Sequence, residues 1–146
     1  MAAAPQQADA YLFYGGAGDI FEITTSMMAQ KHASNPQVKA FATMLIADHT
    51  NLTNDALAAA KGAGVMAPPP ELSPMQKQMI TQLMAAGPNF DRVFLQQQLT
   101  AHQEALPVQT AYAANGDIPA LRSAAAGAVP VVQRHIAQIQ RMMRGM

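Results

Sequence analysis

Pro36-Gln37-Val38-Lys39-Ala40-Phe41-Ala42-Thr43-Met44-Leu45-Ile46-Ala47-Asp48-His49-Thr50-Asn51-Leu52 is the stretch on which the fold turns. Within and just beyond it, Val38, Phe41, Ala42, Leu45, His49, Leu52 and Ala56 recur at the 3.6-residue period, on one stripe of a helix. Pro36 suits a first helical turn, where the amide it lacks would have no partner, and Asn35 supplies the cap before it. Gly62 and Gly64 stop the segment, so the spacing predicts a helix over 36–61.

Upstream, Ser34-Asn35-Pro36 closes an earlier helix over 9–33, with Phe13, Ala17, Ile20, Phe21, Thr24, Met27 and Met28 on its apolar face and Glu22, Thr25 and Ala29 opposite. Downstream, Pro68-Pro69-Pro70 imposes an extended connection, and Ser73-Pro74 opens a short helix ending near Ala86. A third long helix follows Gly87-Pro88-Asn89 and runs to Asn115-Gly116, with Pro107 expected to kink it by freeing the Gln103 carbonyl. Asp117 is the expected cap of a fourth, which carries Leu121, Ala124, Ala128, Val132, His135, Ile139 and Met142 on one face. The pattern predicts an all-α fold: an antiparallel four-helix bundle with a short extra helix in the long connection between helices two and three. Residues 9–143 form one domain in this reading, and residues 1–8 a disordered segment.

With 146 residues, half of them apolar, the chain can bury a core of its own. Nine basic residues balance nine acidic ones, which leaves no electrostatic footprint for nucleic acid. There is no Cys, so thiolate metal sites and thiol redox chemistry are excluded. No apolar run approaches the roughly 20 residues of a spanning helix. The opening Met1-Ala2-Ala3-Ala4-Pro5 resembles a start residue placed before the small-residue stretch left by a removed secretory signal, so export is expected.

His49, His102 and His135 each fall on the apolar stripe of a different helix, between Leu45 and Leu52, Leu99 and Leu106, and Val132 and Ile139. An up-down-up-down bundle puts its first and third connections at one end. Measured from there, His49 stands 15 residues beyond residue 34, His102 15 before residue 117 and His135 18 after it, one depth within about a turn. At that depth helix one offers Asp19, with Glu22 a turn nearer the end, although periodicity leaves Glu22 on the polar face and Asp19 at its border. Three imidazoles with a carboxylate suit zinc, iron or copper, so the candidate metal ligands are His49, His102, His135, Glu22 and Asp19. Buried histidines also serve as hydrogen-bonded core residues, which is the competing reading.

Asp48, beside His49, is positioned either to orient an imidazole or to face solvent, while Asp91, Gln98 and Gln109 share the inward arc of helix three and need partners if buried. Met27, Met28, Met44, Met79 and Met84 read as flexible core filler, with Met142, Met143 and Met146 in a fraying tail. Gly15-Gly16-Ala17-Gly18 lacks the strand and Lys of a phosphate loop and reads as a place of close helix approach or a ragged helix start.

Asp19-Ile20-Phe21-Glu22-Ile23, then Ser34-Asn35-Pro36 through Ala42, Asp48-His49-Thr50, Phe90-Asp91, His102-Gln103-Glu104-Ala105 and His135 resemble the uncharacterised ferritin-like domain of bacterial exported proteins often labelled predicted outer membrane protein. The resemblance spans about residues 8–143. It implies a ferritin-like four-helix bundle in the periplasm or cell envelope and a metal site, with no established activity. The sequence departs from di-iron bundles, because Ile46, Leu99 and Val132 stand where a Glu would precede each histidine by three. Three functions remain: a metal-binding bundle using zinc, iron or copper, a metal-free structural or stress-related envelope protein, and a small-ligand carrier with a Met-lined core.

Overall fold

The computed structural model describes residues 4–146 and is all-helical: α1 (Ala8–His32), α2 (Pro36–Gly62), α3 (Pro74–Met84), a single 3₁₀ turn (Gly87–Asn89), α4 (Phe90–Asn115) and α5 (Pro119–Arg144). Residues 1–3 of the expected N-terminal segment lie outside the described residues, and α1 opens at Ala8, which is buried. No helix of the described residues is long and apolar enough to cross a membrane.

Local chemistry sets the helix ends. Asn35 Oδ1 accepts from the Gln37 amide at 2.8 Å with Pro36 in the first turn. Ser73 and Gln76 form a reciprocal capping box ahead of α3. After α2, Gly64 takes φ +73°, the Val65 amide returns to the Ala60 carbonyl and the Gly64 amide to that of Lys61, a Schellman ending. α4 and α5 continue through Pro107 and Pro130. The expected cap at Asp117 is not formed: Ile118 caps α5 without a side-chain bond, and the Asp117 carboxylate instead accepts from the Tyr112 hydroxyl at 2.8 Å.

The four long helices pack in a ring, α1 on α2, α2 on α5, α5 on α4 and α4 on α1, with α3 against α4 and α1. Two apolar clusters fill the ring. One gathers the end of α1 (Ala29), the start of α2 (Val38, Phe41), the start of α4 (Phe90, Phe94) and the end of α5 (Ile139). The other gathers the start of α1 (Tyr11, Leu12), the end of α2 (Ala60), the end of α4 (Tyr112) and the start of α5 (Leu121).

That distribution corrects the up-down-up-down order. The α1–α2 connection lies beside the start of α4, where the Asp91 carboxylate accepts from the Ser34 and Asn35 amides at 2.9 and 2.8 Å. The α4–α5 connection lies at the other end, where the Asp117 amide donates to the Gln6 carbonyl at 3.0 Å. The two short connections are therefore at opposite ends, and the 63–89 connection runs from one end to the other.

Helix α1 is also turned from its expected position. Tyr11, Leu12, Phe21, Glu22, Thr25, Ser26 and Ala29 are buried, whereas Phe13 and Met27 are 43% and 58% exposed. Small and apolar residues occur all round this helix, so its amphipathicity cannot fix the rotation. Partners for its polar groups fix it instead: Gln98 donates to Thr25 Oγ1 at 2.6 Å and Glu22 meets His49. The methionine expectation is corrected in part, since Met27 and Met84 are exposed while Met28 and Met44 pack on the first cluster.

Candidate metal centre

The two apolar clusters are separated by a polar layer at mid-height, contributed by the central turns of all four long helices. His49, His102 and His135 are 2%, 0% and 1% exposed, so each must find its hydrogen-bond partners inside. Their ring centroids form a nearly equilateral triangle of 5.2, 5.2 and 5.1 Å. Three nitrogens point inward: His49 Nε2 lies 3.3 Å from His102 Nε2, which lies 3.0 Å from His135 Nδ1.

The outward nitrogens all face acceptors. His49 Nδ1 is 2.6 Å from Glu22 Oε2 and 3.0 Å from Asp19 Oδ1. His102 Nδ1 is 2.7 Å from the carbonyl of Gln98, one turn back along its own helix. His135 Nε2 is 2.7 Å from Asp48 Oδ2. A carbonyl or carboxylate can only accept, so each outward nitrogen carries a hydrogen, and a neutral ring then has its lone pair directed inward.

Charge follows the same geometry. Burial pushes His49 down, but Glu22 and Asp19 outweigh burial and raise it to about 10, so without a metal it is an imidazolium. Burial holds His102 below the ordinary imidazole range and takes His135 down to about 4, so both are neutral at pH 7. Burial acts to raise Glu22, and the effects that outweigh it, led by the charge and hydrogen bond of His49, leave its carboxyl below the ordinary range. Burial raises Asp19. With both rings neutral, His102 Nε2 and His135 Nδ1 face each other at 3.0 Å with no hydrogen between them. One proton on His49 Nε2 cannot serve both.

All five candidate residues are thus brought to one layer, in two groups that share His49. The three histidines converge through their inner nitrogens, while Asp19 and Glu22 gather on the outer side of the His49 ring. Glu22 is 3% exposed, which corrects its placement on the polar face of α1. Asp48 meets His135 Nε2 at 2.7 Å while its side chain stays one-third exposed, so it orients an imidazole and borders solvent at once. Asp91 sits away from the layer, at the α1–α2 connection, while Gln109 accepts from the Tyr11 hydroxyl and borders the layer, lining a cavity with Asp19, Glu22 and His49. Thr53, which donates to Asp19 Oδ2 at 2.7 Å, was not among the expected residues, although its place one turn after His49 on α2 could have flagged it.

Fold and site together define an all-helical bundle with a buried imidazole triangle braced by carboxylates. The chain belongs to the family described as Domain of unknown function (DUF4142), which it matches over residues 1–142. That description carries neither a ferritin-like assignment nor an outer-membrane location. No curated protein matches the sequence. Among solved structures, the chain is similar to CopM in the Cu(II)-bound form, with 18% identity, 95% of this chain and 97% of that chain covered, and a TM-score of 0.79. At this identity the likeness is one of fold.

Proposed function

We propose that this protein is an exported metal-binding bundle that holds one transition-metal ion through His49 Nε2, His102 Nε2 and His135 Nδ1. The observation that carries the reading is the convergence of three buried ring nitrogens, with His102 Nε2 3.3 Å from His49 Nε2 and 3.0 Å from His135 Nδ1 while the outward nitrogens all face acceptors. A cation at the centre of the triangle would be met by all three inward nitrogens. Three nitrogens bound to one ion at about 2.0–2.1 Å stand about 3.3–3.6 Å apart, so the 3.3 Å spacing already fits and the 3.0 Å spacing needs to widen by a few tenths of an ångström.

An all-imidazole donor set suits copper, zinc and iron, and copper heads the affinity order for nitrogen ligands. The likeness to a copper-bound bundle supports the same choice. Asp19, Glu22 and Asp48 act in this reading as acceptors that fix ring orientation and raise the basicity of His49 and His135. The domain is the unit 9–143, with long helices antiparallel to their ring neighbours in the ferritin-like manner. The crossed cluster memberships at the two ends support that arrangement.

Titration of chelator-treated protein with Cu(II) and Zn(II), followed through histidine ring resonances, tests the reading. One ion per chain should shift His49, His102 and His135 and leave His32, which is exposed beside Phe90, unmoved. Absence of uptake would overturn the site and favour a metal-free structural envelope protein.

A further inference from the structure

Two sequence features have no part in the metal centre: the Gly15-Gly16 pair of α1 and the Pro68-Pro69-Pro70 segment. Together they build a cavity. A Cβ on Gly16 would lie 3.3 Å from Pro70 Cβ, so the proline segment rests against bare backbone there. A Cβ on Gly15 would meet nothing within 4 Å, because Gly15 borders open space. That space measures about 200 Å³ and lies between α1, α2, the proline segment and α5. It exceeds the roughly 150 Å³ in which a buried apolar cavity takes up benzene.

Its walls are mostly apolar, with Leu12, Ile20, Leu57 and Ala124 among them, and its lining includes no methionine. The expected Met-lined carrier core is therefore not this cavity. Asp19 is the one charged residue of the lining. Its side chain keeps 21% exposure although Oδ1 faces His49 Nδ1 and Oδ2 accepts from Thr53. Each carboxylate oxygen has a second lone pair to offer. Gln109, whose amide oxygen accepts from the Tyr11 hydroxyl at 2.6 Å, is another polar group of the lining, with Thr50, Thr53 and Asn54. An apolar chamber with convergent polar groups is the usual form of a small-molecule site.

We propose that this cavity binds a small organic amine, with its apolar body between α1, α2 and the proline segment and its ammonium group on Asp19. The charge matches because no Lys or Arg lines the chamber, and the one cation beside Asp19, His49, is shared with the closer Glu22 carboxylate, which leaves the two carboxylates one negative charge in excess. The size matches a single-ring compound.

Benzylamine, with toluene as the isostere lacking the cation, tests the proposal in chelator-treated full-length protein by methyl NMR titration. Benzylamine should shift the methyl groups of Ala56, Ala67 and Ala124 saturably and bind at least about tenfold more tightly than toluene, the advantage expected of one charge-assisted hydrogen bond. Gly15→Leu, which places a side chain in the open space and replaces a weak helix former, should cut benzylamine affinity about tenfold or more without lowering Tm. Ala124→Leu should do the same from α5. No saturable shift, equal binding of toluene, or full benzylamine affinity in both variants would overturn the proposal. Because no metal is present, such a result leaves the histidine centre to its own titration.

Discussion

Replacing Glu22 by Gln removes the carboxylate charge beside the buried His49 imidazolium while keeping the shape of the side chain and an oxygen that can accept from Nδ1. In the metal-free protein both partners are about 3% exposed and 2.6 Å apart, so the loss leaves a buried cation short of compensation. Breaking such a pair costs about 3–5 kcal/mol. The lower end applies here, because Asp19 Oδ1 remains 3.0 Å from the same nitrogen. A loss of about 3 kcal/mol is equivalent to a fall of about two units in the His49 pKa from its value of about 10.

The pH dependence fixes the sign. Glu22 lies below its ordinary range when folded, so its contribution is present above that range and is lost as pH falls through its lowered value. His49 is raised, so its contribution is complete below the ordinary imidazole range and is lost as pH rises through about 10. The stability difference between parent and Glu22→Gln should therefore be largest between about pH 4.5 and 6.5 and shrink on either side. Urea unfolding of both proteins in chelator, across pH 3 to 10, measures it. Equal stability at pH 6, or a difference of the same size at pH 3, would refute the buried charge pair.

Two further outcomes follow from the same layer. Binding of one Cu(II) at pH 7 should release about one proton, from His49 Nε2, since His102 and His135 are already neutral; calorimetry in buffers of different ionisation enthalpy counts it, and zero release would contradict the charge assignment. Asp48→Asn weakens the charged acceptor 2.7 Å from His135 Nε2 without touching the triangle, and should lower metal affinity about 10- to 100-fold in a chelator competition while leaving stoichiometry at one.

Much of this architecture is legible in the residues, for identifiable reasons. α2 carries one clean stripe between a proline cap and a glycine stop, and its observed span of Pro36–Gly62 meets the expected one within a residue. The depth of the histidines was inferred from a connection order that the structure corrects. It survived because His49 and His102 lie at the middles of helices of 27 and 26 residues, where reversing a helix barely moves them, and His135 lies about one turn from the middle of its own 26-residue helix. The rotation of α1 was not legible, because its apolar residues do not favour one side and its buried face is chosen by partners distant in sequence, Gln98 for Thr25 and His49 for Glu22. The same long-range pairing explains why Asp48 serves α5 from α2, whereas Asp117 left its capping position for a local partner, the Tyr112 hydroxyl five residues back. Hydrophobic period reports which face is apolar, and it is silent when a polar layer is the buried feature.

The central claim is that the three inward nitrogens hold one metal ion, and the most direct measurement is the copper content of the His49→Ala/His135→Ala double variant beside the parent after equilibrium dialysis. Circular dichroism on the same samples reports the fold. The parent should hold about one ion tightly and the variant none, with helicity largely retained because both apolar clusters lie outside the replaced layer. A fully helical variant that still takes up one ion per chain would contradict it.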